Sequence, residues 1–346
     1  MRDRSFEFEE EEERTTLLEP RALLNFVETD SIRDTTDRAL TYLAVGFPVH
    51  LRGAAGTGKT TLAMHIAAKL GRPVVMVHGD DELSGSDLVG AEHGYYARKV
   101  VDNYIHSVLK KEEEVSPRWV DNRLTVAAKR GYTLVYDEFT RSRPEANNVL
   151  LAVLQERLLD LQATGSDTNY VRVDPAFNAI FTSNPGDYAG VHRSQDALLD
   201  RMVTIDLGHF DEVTETAITQ ARAQIGPAEA LRIVGLIRAL REANVCDVAP
   251  TVRSCIKLGR AVRLRNASFD AGDPRFRQIC LDILVSGSIR DGIGPQAALH
   301  ETLDRLITEL CPDEQPGAVK AAPTARTGRS RRPRTPVKAA KQRGVA

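Results

Sequence analysis

The octapeptide Gly53-Ala54-Ala55-Gly56-Thr57-Gly58-Lys59-Thr60 constrains this chain more than any other stretch. Its G-x-x-x-x-G-K-[ST] spacing is that of a loop that wraps a phosphate chain. Glycines let the backbone curl until its N–H groups point inward at an anion, and the N-terminus of the following helix adds partial positive charge. Such a loop needs a strand before it and a helix after it. Pro48-Val49-His50-Leu51 reads as a short strand, and Thr61 to Leu70 reads as a helix with Leu62, Ile66 and Leu70 on one face. In this setting Lys59 reaches the β- and γ-phosphates of a nucleotide, and the Thr60 hydroxyl ligates Mg²⁺. The nucleotide-binding element is expected to run from Gly53 to Thr61.

The pattern around the loop is α/β. Ser31 to Leu43 carries a helical repeat, and Pro73 to Val77 is a non-alternating apolar run that reads as a strand buried on both faces. Residues 79–117 are polar and irregular, with one helical piece expected around Val100 to Leu109. Thr133 to Tyr136 is a third apolar strand, followed at once by Asp137-Glu138. Pro144 opens a helix as its first-turn proline. Leu158–Leu161 and Tyr170–Val173 flank Gly165-Ser166-Asp167 and read as a hairpin. Phe177 to Thr182 and Val203 to Leu207 are the last strands, with a short helix ending at Arg201 between them. From Asp211 to about Leu310 only helical patterns remain. Alternating strands and helices imply a parallel sheet covered by helices, and the helical hundred residues that follow imply a separate lid. The expected organisation is an acidic disordered N-terminus over 1–17, a nucleotide-binding α/β domain over 18–208, a helical lid over 209–311 and a basic disordered tail over 312–346.

Composition excludes several classes. At 346 residues the chain can bury a substantial core, and 42% hydrophobic with 27% charged residues is the balance of a soluble globular protein. The net charge of −2 hides an asymmetry: Glu7 and Glu9 to Glu13 make the start acidic, while Lys320 to Arg343 is basic. Cys246, Cys255, Cys280 and Cys311 lack C-x-x-C spacing, which argues against a zinc site or a disulfide framework and fits a reducing cytosol. No signal-peptide pattern opens the chain, and no apolar run reaches the roughly 18 residues that span a bilayer.

A phosphate loop binds nucleotide; hydrolysis needs a metal, a positioned water and charge compensation. Asp137, at the end of an apolar strand, is placed to hold Mg²⁺ through its water shell, and Glu138 is the natural base for polarising water. Asn184 follows the strand Phe177–Thr182. It reads either as a turn former before Pro185 or as a neutral amide that binds the γ-phosphate or the water. Arg201 and Arg253 have the guanidinium suited to a transferring phosphoryl group, although in a chain with many arginines each taken alone reads first as a surface residue.

Taken in order, Gly53–Thr60, Asp137-Glu138, Asn184, Asp200-Arg201 and Pro250–Arg253 resemble the AAA+ ATPases, and Asp137-Glu138-Phe139-Thr140-Arg141 resembles their MoxR-like branch. Further blocks resemble the GvpN family of gas vesicle proteins within it: Asp87–Gly90, Val101–Lys110, Trp119–Leu124, Tyr136–Pro144 and Thr182–Pro185. The resemblance covers about residues 25 to 265. It implies an AAA+ P-loop fold with a five-stranded parallel sheet and a helical lid. It makes Lys59 and Thr60 the phosphate and Mg²⁺ contacts, Asp137 the metal-associated carboxylate, Glu138 the catalytic base, Asn184 sensor 1, Arg201 an arginine finger acting on a neighbour's ATP, and Arg253 sensor 2. Residues 158–173 match the pre-sensor hairpin, and Tyr136 is bulkier than the usual aliphatic residue before the acidic pair.

The implied activity is Mg²⁺-dependent ATP hydrolysis in a homo-oligomeric ring, usually a hexamer, that assists assembly or growth of the gas vesicle shell. The implied partners are other gas vesicle proteins, in the cytoplasm and at the vesicle. Two other classes stay open on the sequence: a nucleotide-ordered structural component with little turnover, and a MoxR-like chaperone of the CbbQ/NorQ type that activates a metalloenzyme. The Arg326–Arg343 tail lacks aromatic residues to stack bases, so an electrostatic tether is favoured over nucleic-acid binding. No membrane role is expected.

Overall fold

The computed structural model describes residues 17–19, 26–102, 110–161, 170–184, 196–288 and 296–312. Its centre is a sheet of six strands in the order β1-β3-β6-β9-β2-β10. These are β1 (Leu17–Leu18), β2 (Val49–Gly53), β3 (Val74–His78), β6 (Thr133–Asp137), β9 (Asn178–Ser183) and β10 (Val203–Leu207). Five of them are parallel, as expected. The sixth, β1, is a two-residue antiparallel edge pairing Leu17 with Val75 and Leu18 with Val74. Leu17 therefore has a defined partner, although it falls in the segment expected to be disordered.

The apolar strand sequences follow from burial on both faces. Along the strands, side chains alternate between two layers. Val74, Val135 and Ile180 pack with Leu62 and Ile66 of α2 (Lys59–Leu70) and with Ala39 and Leu43 of α1 (Asp30–Ala44). Val75, Leu134, Tyr136 and Phe181 face the opposite layer, formed by Leu124 and Ala127 of α4 (Arg123–Arg130) and Leu150 and Val153 of α5 (Pro144–Gln155). Truncating a fully buried side chain such as Ile66 to alanine removes about 2–5 kcal/mol.

The stretch between β3 and α4 departs from the expectation. A single turn and a half of helix, α3 (Gly85–Val89), is followed by a long antiparallel hairpin of β4 (Gly90–Asp102) and β5 (Lys110–Asp121). Val100 to Asp102 are strand, not helix; the rest of the expected helix, to Leu109, lies outside the described residues. The apolar spacing of Val101, Ile105 and Leu109 matches a helical face, but pairing with a distant strand overrides a local pattern. The second hairpin is present as expected, β7 (Leu158–Asp160) against β8 (Tyr170–Arg172), with its Gly165–Asp167 turn outside the described residues.

After α6 (Asp196–Leu199) and β10 the chain is helical: α7 (Glu212–Ala223), α8 (Pro227–Glu242), α9 (Val252–Leu264), α10 (Pro274–Cys280), α11 (Ser286–Ser288) and α12 (Gln296–Leu310). Residues 281–285 carry the wider π-helical turn. This half has its own core, including Ile233, Leu236, Leu258, Val262, Phe276, Leu303 and Ile307. The proline that opens α8, Pro227, and the one that opens α10, Pro274, sit at first-turn positions where no N–H is required. Burial pushes the Cys255 thiol up to about 12 and the Cys311 thiol up to about 11, so both behave as small apolar side chains. Among the described residues no helix is long and apolar enough to cross a membrane.

Candidate active site

Parallel neighbours bring the carboxyl ends of β2, β9 and β6 to one edge of the sheet, where ligands bind in open α/β folds. The phosphate loop leaves β2, Asp137-Glu138 leaves β6 and Asn184 leaves β9. The loop is curled on itself: Lys59 Nζ and Thr57 Oγ1 both donate to the Ala54 carbonyl, at 2.8 and 2.9 Å. Gly56 and Gly58 take φ of +81° and +82°, which favours glycine. At Gly56 space forbids a side chain as well, because a Cβ would stand 2.4 Å from Thr251 Oγ1.

Asp137 joins three elements. Its Oδ1 accepts from Thr60 Oγ1 at 2.7 Å and from Thr182 Oγ1 at 2.5 Å, and its Oδ2 lies 3.7 Å from His78 Nδ1. The same Thr182 hydroxyl accepts the Glu138 backbone N–H at 2.9 Å. One threonine on β9 thus ties both acidic residues to the strand that leads to Asn184. Glu138 sits at φ +52°, ψ +40°, a left-handed conformation that costs a non-glycine residue about 1–3 kcal/mol. Strain of this kind persists where neighbours over-determine the geometry, and here it turns the Glu138 carboxylate away from the core to half-exposure, 3.0 Å from Arg141 Nη1. Gly79 makes the turn possible. A Cβ there would lie 2.0 Å from the Glu138 carbonyl oxygen.

Tyr136 does not disturb this loop; it braces it. The ring is fully buried between Phe139 and Phe181. Its hydroxyl lies 2.8 Å from Ser142 Oγ and donates to Asn147 Oδ1 at 3.1 Å, linking β6 to the chain that follows Glu138 and to α5. Burial raises this phenol to about 12, so it stays protonated. Under Asn184, which is itself buried, His50 Nε2 is 2.7 Å from Ser183 Oγ and Nδ1 is 3.1 Å from Thr204 Oγ1. Burial, with Arg52 nearby, lowers His50 to about 4, so it is neutral at pH 7.

A cleft of about 520 Å³ opens beside the phosphate loop. Gly56, Gly58, Thr60 and Thr61 form one end, Phe26, Met64, Phe210 and Ile256 give it apolar walls, and Arg222, Arg253, Lys257 and Arg260 line it with cations. Arg253 is exposed in the first turn of α9, next to the Thr251 that seats on Gly56. The fold therefore brings together Gly53 to Thr61, Asp137, Glu138, Asn184 and Arg253. Gly56, Gly58, Thr60, Thr61 and Arg253 line the cleft itself, whereas Lys59, Asp137, Glu138, Asn184 and Arg201 are not among its lining residues. Arg201 Nε donates to Gln155 Oε1 at 2.7 Å, and Arg201 also bonds the Ala197 carbonyl. Sequence reasoning missed Thr182, Phe26 and Phe210. A motif flanking Asn184 contained the first; the two phenylalanines carry no local signal.

The donor set fits Mg²⁺. Among the described residues no three His, Cys, Asp or Glu side chains gather as a metal cage. Mg²⁺ needs none: it keeps waters and takes one or two protein oxygens plus substrate phosphates. The Thr60 hydroxyl and Asp137 carboxylate, 2.7 Å apart at the start of α2, are such a pair.

The chain is similar in sequence to known proteins. The family described as AAA domain (dynein-related subfamily) matches residues 48–202. The chain is 49% identical to a gas vesicle ATPase GvpN of Ancylobacter aquaticus, across 90% of this chain and 88% of that protein. It is 43% identical to the gas vesicle ATPase GvpN2 of Halobacterium salinarum, across 82% of each. Protein NorQ of Paracoccus denitrificans is more distant, 28% identical across 56% of this chain and 66% of NorQ.

Proposed function

The chain belongs to the GvpN family of gas vesicle ATPases, AAA+ proteins with MoxR-like relatives, and from that premise we propose how it hydrolyses ATP and what the hydrolysis serves. ATP lies in the cleft with its phosphates on the Gly53–Thr61 backbone and Lys59, and its base between the apolar walls. Thr60 and Asp137 would hold Mg²⁺, which would supply charge neutralisation to the nucleotide phosphates. Glu138 polarises the attacking water, and Asn184 orients that water or the γ-phosphate without adding charge. Arg253 reaches the γ-phosphate from the helical lid, residues 209–311. Arg201 faces away from its own cleft and completes a neighbour's site in a homo-oligomeric ring, a hexamer in this reading. Turnover drives assembly or growth of the gas vesicle shell, in the cytoplasm, through contacts with other gas vesicle proteins.

The observation that supports the reading is the bonded series Thr60–Asp137–Thr182–Glu138 at the phosphate loop, in which Glu138 combines a left-handed backbone with a half-exposed carboxylate. Glu138→Gln separates binding from chemistry. The variant is expected to bind ATP as the wild type does, to turn over about a hundredfold more slowly or worse, and to leave gas-vesicle-forming cells without normal vesicles. Normal vesicles in cells whose only copy is this variant would overturn the catalytic reading and favour a nucleotide-ordered structural component.

A further inference from the structure

Three segments that wall the cleft meet at one buried turn outside it. The turn is the start of α7, where Thr214 and Glu215 are buried. The Thr214 hydroxyl donates to Asp211 Oδ2 at 2.8 Å and lies 2.7 Å from Thr29 Oγ1, just beyond Phe26 in the chain. Glu215 Oε2 takes Arg238 Nη1 at 3.1 Å, and Oε1 takes Arg241 Nη2 at 2.9 Å. Each guanidinium also bonds a carbonyl next to the cleft. Arg238 Nη1 donates to Phe210 O at 3.3 Å, and Arg241 Nε donates to Pro250 O at 3.1 Å. Phe210 covers Gly58 with its ring, and Pro250 leads directly into Thr251 and Arg253.

A buried carboxylate between two arginines is weak as a stabilising device, because desolvation offsets much of the attraction. Apolar residues of equal volume would fill the space as well. The ions add direction: the planar, five-donor guanidinium holds the carboxylate and a chosen carbonyl at the same time. We infer that Glu215 is a positioning residue for nucleotide recognition, setting Phe210 and, through Pro250, Arg253 against the phosphate loop by way of Arg238 and Arg241. The γ-phosphate response of the cleft then depends on the packing of α7 and α8. This rests on the assignment of Arg253 to the γ-phosphate made above.

The test measures ATP and ADP affinities of the full chain by calorimetry, alongside melting temperature. Arg253→Ala is expected to lose the preference for ATP over ADP. Arg241→Lys keeps a positive charge beside Glu215 but loses the Nε donor to Pro250, so that preference should fall by about tenfold with ADP affinity and melting temperature near wild type. The double variant should be no worse than Arg253→Ala alone, since both act through one guanidinium. Glu215→Gln, where it folds, should behave as Arg241→Lys. The deciding variant is Arg241→Lys, because Glu215→Gln leaves two cations facing a neutral amide. An impaired Arg253→Ala beside an Arg241→Lys with wild-type preference overturns the inference alone, and so do losses that multiply in the double variant. A wild-type preference in Arg253→Ala removes the γ-phosphate assignment, and the inference with it.

Discussion

The sheet edge beside the cleft, its sheet wall, and the helices that line the cleft, its helical wall, are built by different means. On the sheet side, functional groups sit at the ends of adjacent parallel strands and are joined by short hydrogen bonds, so Thr60, Asp137, Thr182 and Glu138 form one rigid unit. On the helical side, Arg253 is an exposed side chain in the first turn of α9, placed by packing and by an ion triad one helix away. Ladder register is set to fractions of an ångström, whereas packed helices can shift as bodies. In the proposed reading, chemistry belongs to the sheet wall and nucleotide response to the helical wall.

The largest expected effect tests where the sheet wall ends. Arg201, between α6 and β10, belongs to the sheet side yet points to Gln155 and not into its own cleft. Arg201→Ala should bind ATP nearly normally and hydrolyse it about a thousandfold more slowly. Mixed with Glu138→Gln protein it should regain part of the activity, because some interfaces then pair an intact base with an intact arginine. No recovery in rings shown to be mixed would break the shared-site assignment.

A second prediction uses the histidine beneath the sheet wall. His50 falls from an ordinary 6.5 to about 4 in the folded protein. The unfolded chain therefore binds the extra proton first as pH drops. Stability from this residue is complete above pH 6.5, declines between 6.5 and about 4, and levels off below, a total of about 3 kcal/mol. Between pH 7.5 and 4.5, urea unfolding should show a larger loss of stability in the wild type than in His50→Gln, which keeps the contributions of His65 and His209, both also lowered by burial; equal pH dependence in both would remove the desolvated histidine from the account.

The smallest effect is the sharpest on geometry. Thr182→Val keeps the shape and the β-branch but deletes one hydroxyl that serves Asp137 and the Glu138 N–H. Turnover should fall about tenfold, the worth of a hydrogen bond to a charged group, while ATP affinity stays within about twofold. A variant that weakened ATP binding and left turnover unchanged would invert the division between the walls.

Legibility followed the range of the interactions. The phosphate loop, the acidic pair after an apolar strand and the five parallel strands are local patterns, and each appears where periodicity or a motif placed it. The hairpin from Gly90 to Asp121 was not legible. Its first strand ends in a run with helical spacing, and only register with a distant strand, such as Val100 against Glu112, decides against the helix. The bracing role of the bulky Tyr136 was not legible for the same reason, because its partners Ser142 and Asn147 lie in a loop and a helix whose return to β6 no local pattern encodes.

By itself the sequence determined the chemistry available: a loop that can only cradle phosphate, two carboxylates at a strand end, and arginines in an order shared with a known family. Tertiary structure decided which groups meet. It set the Thr182 hydroxyl between the Asp137 carboxylate and the Glu138 backbone N–H, and held Glu138 at a strained backbone angle. It bonded Arg201 to Gln155, set Thr29 on the first turn of α7, and linked Phe210 and Pro250 to that turn through Arg238 and Arg241 of α8. The reason is physical. Motifs arise from short-range backbone geometry, which neighbouring residues specify, whereas a site wall arises from long-range packing, where residues as far apart as Thr60 and Asp137 share one hydrogen bond.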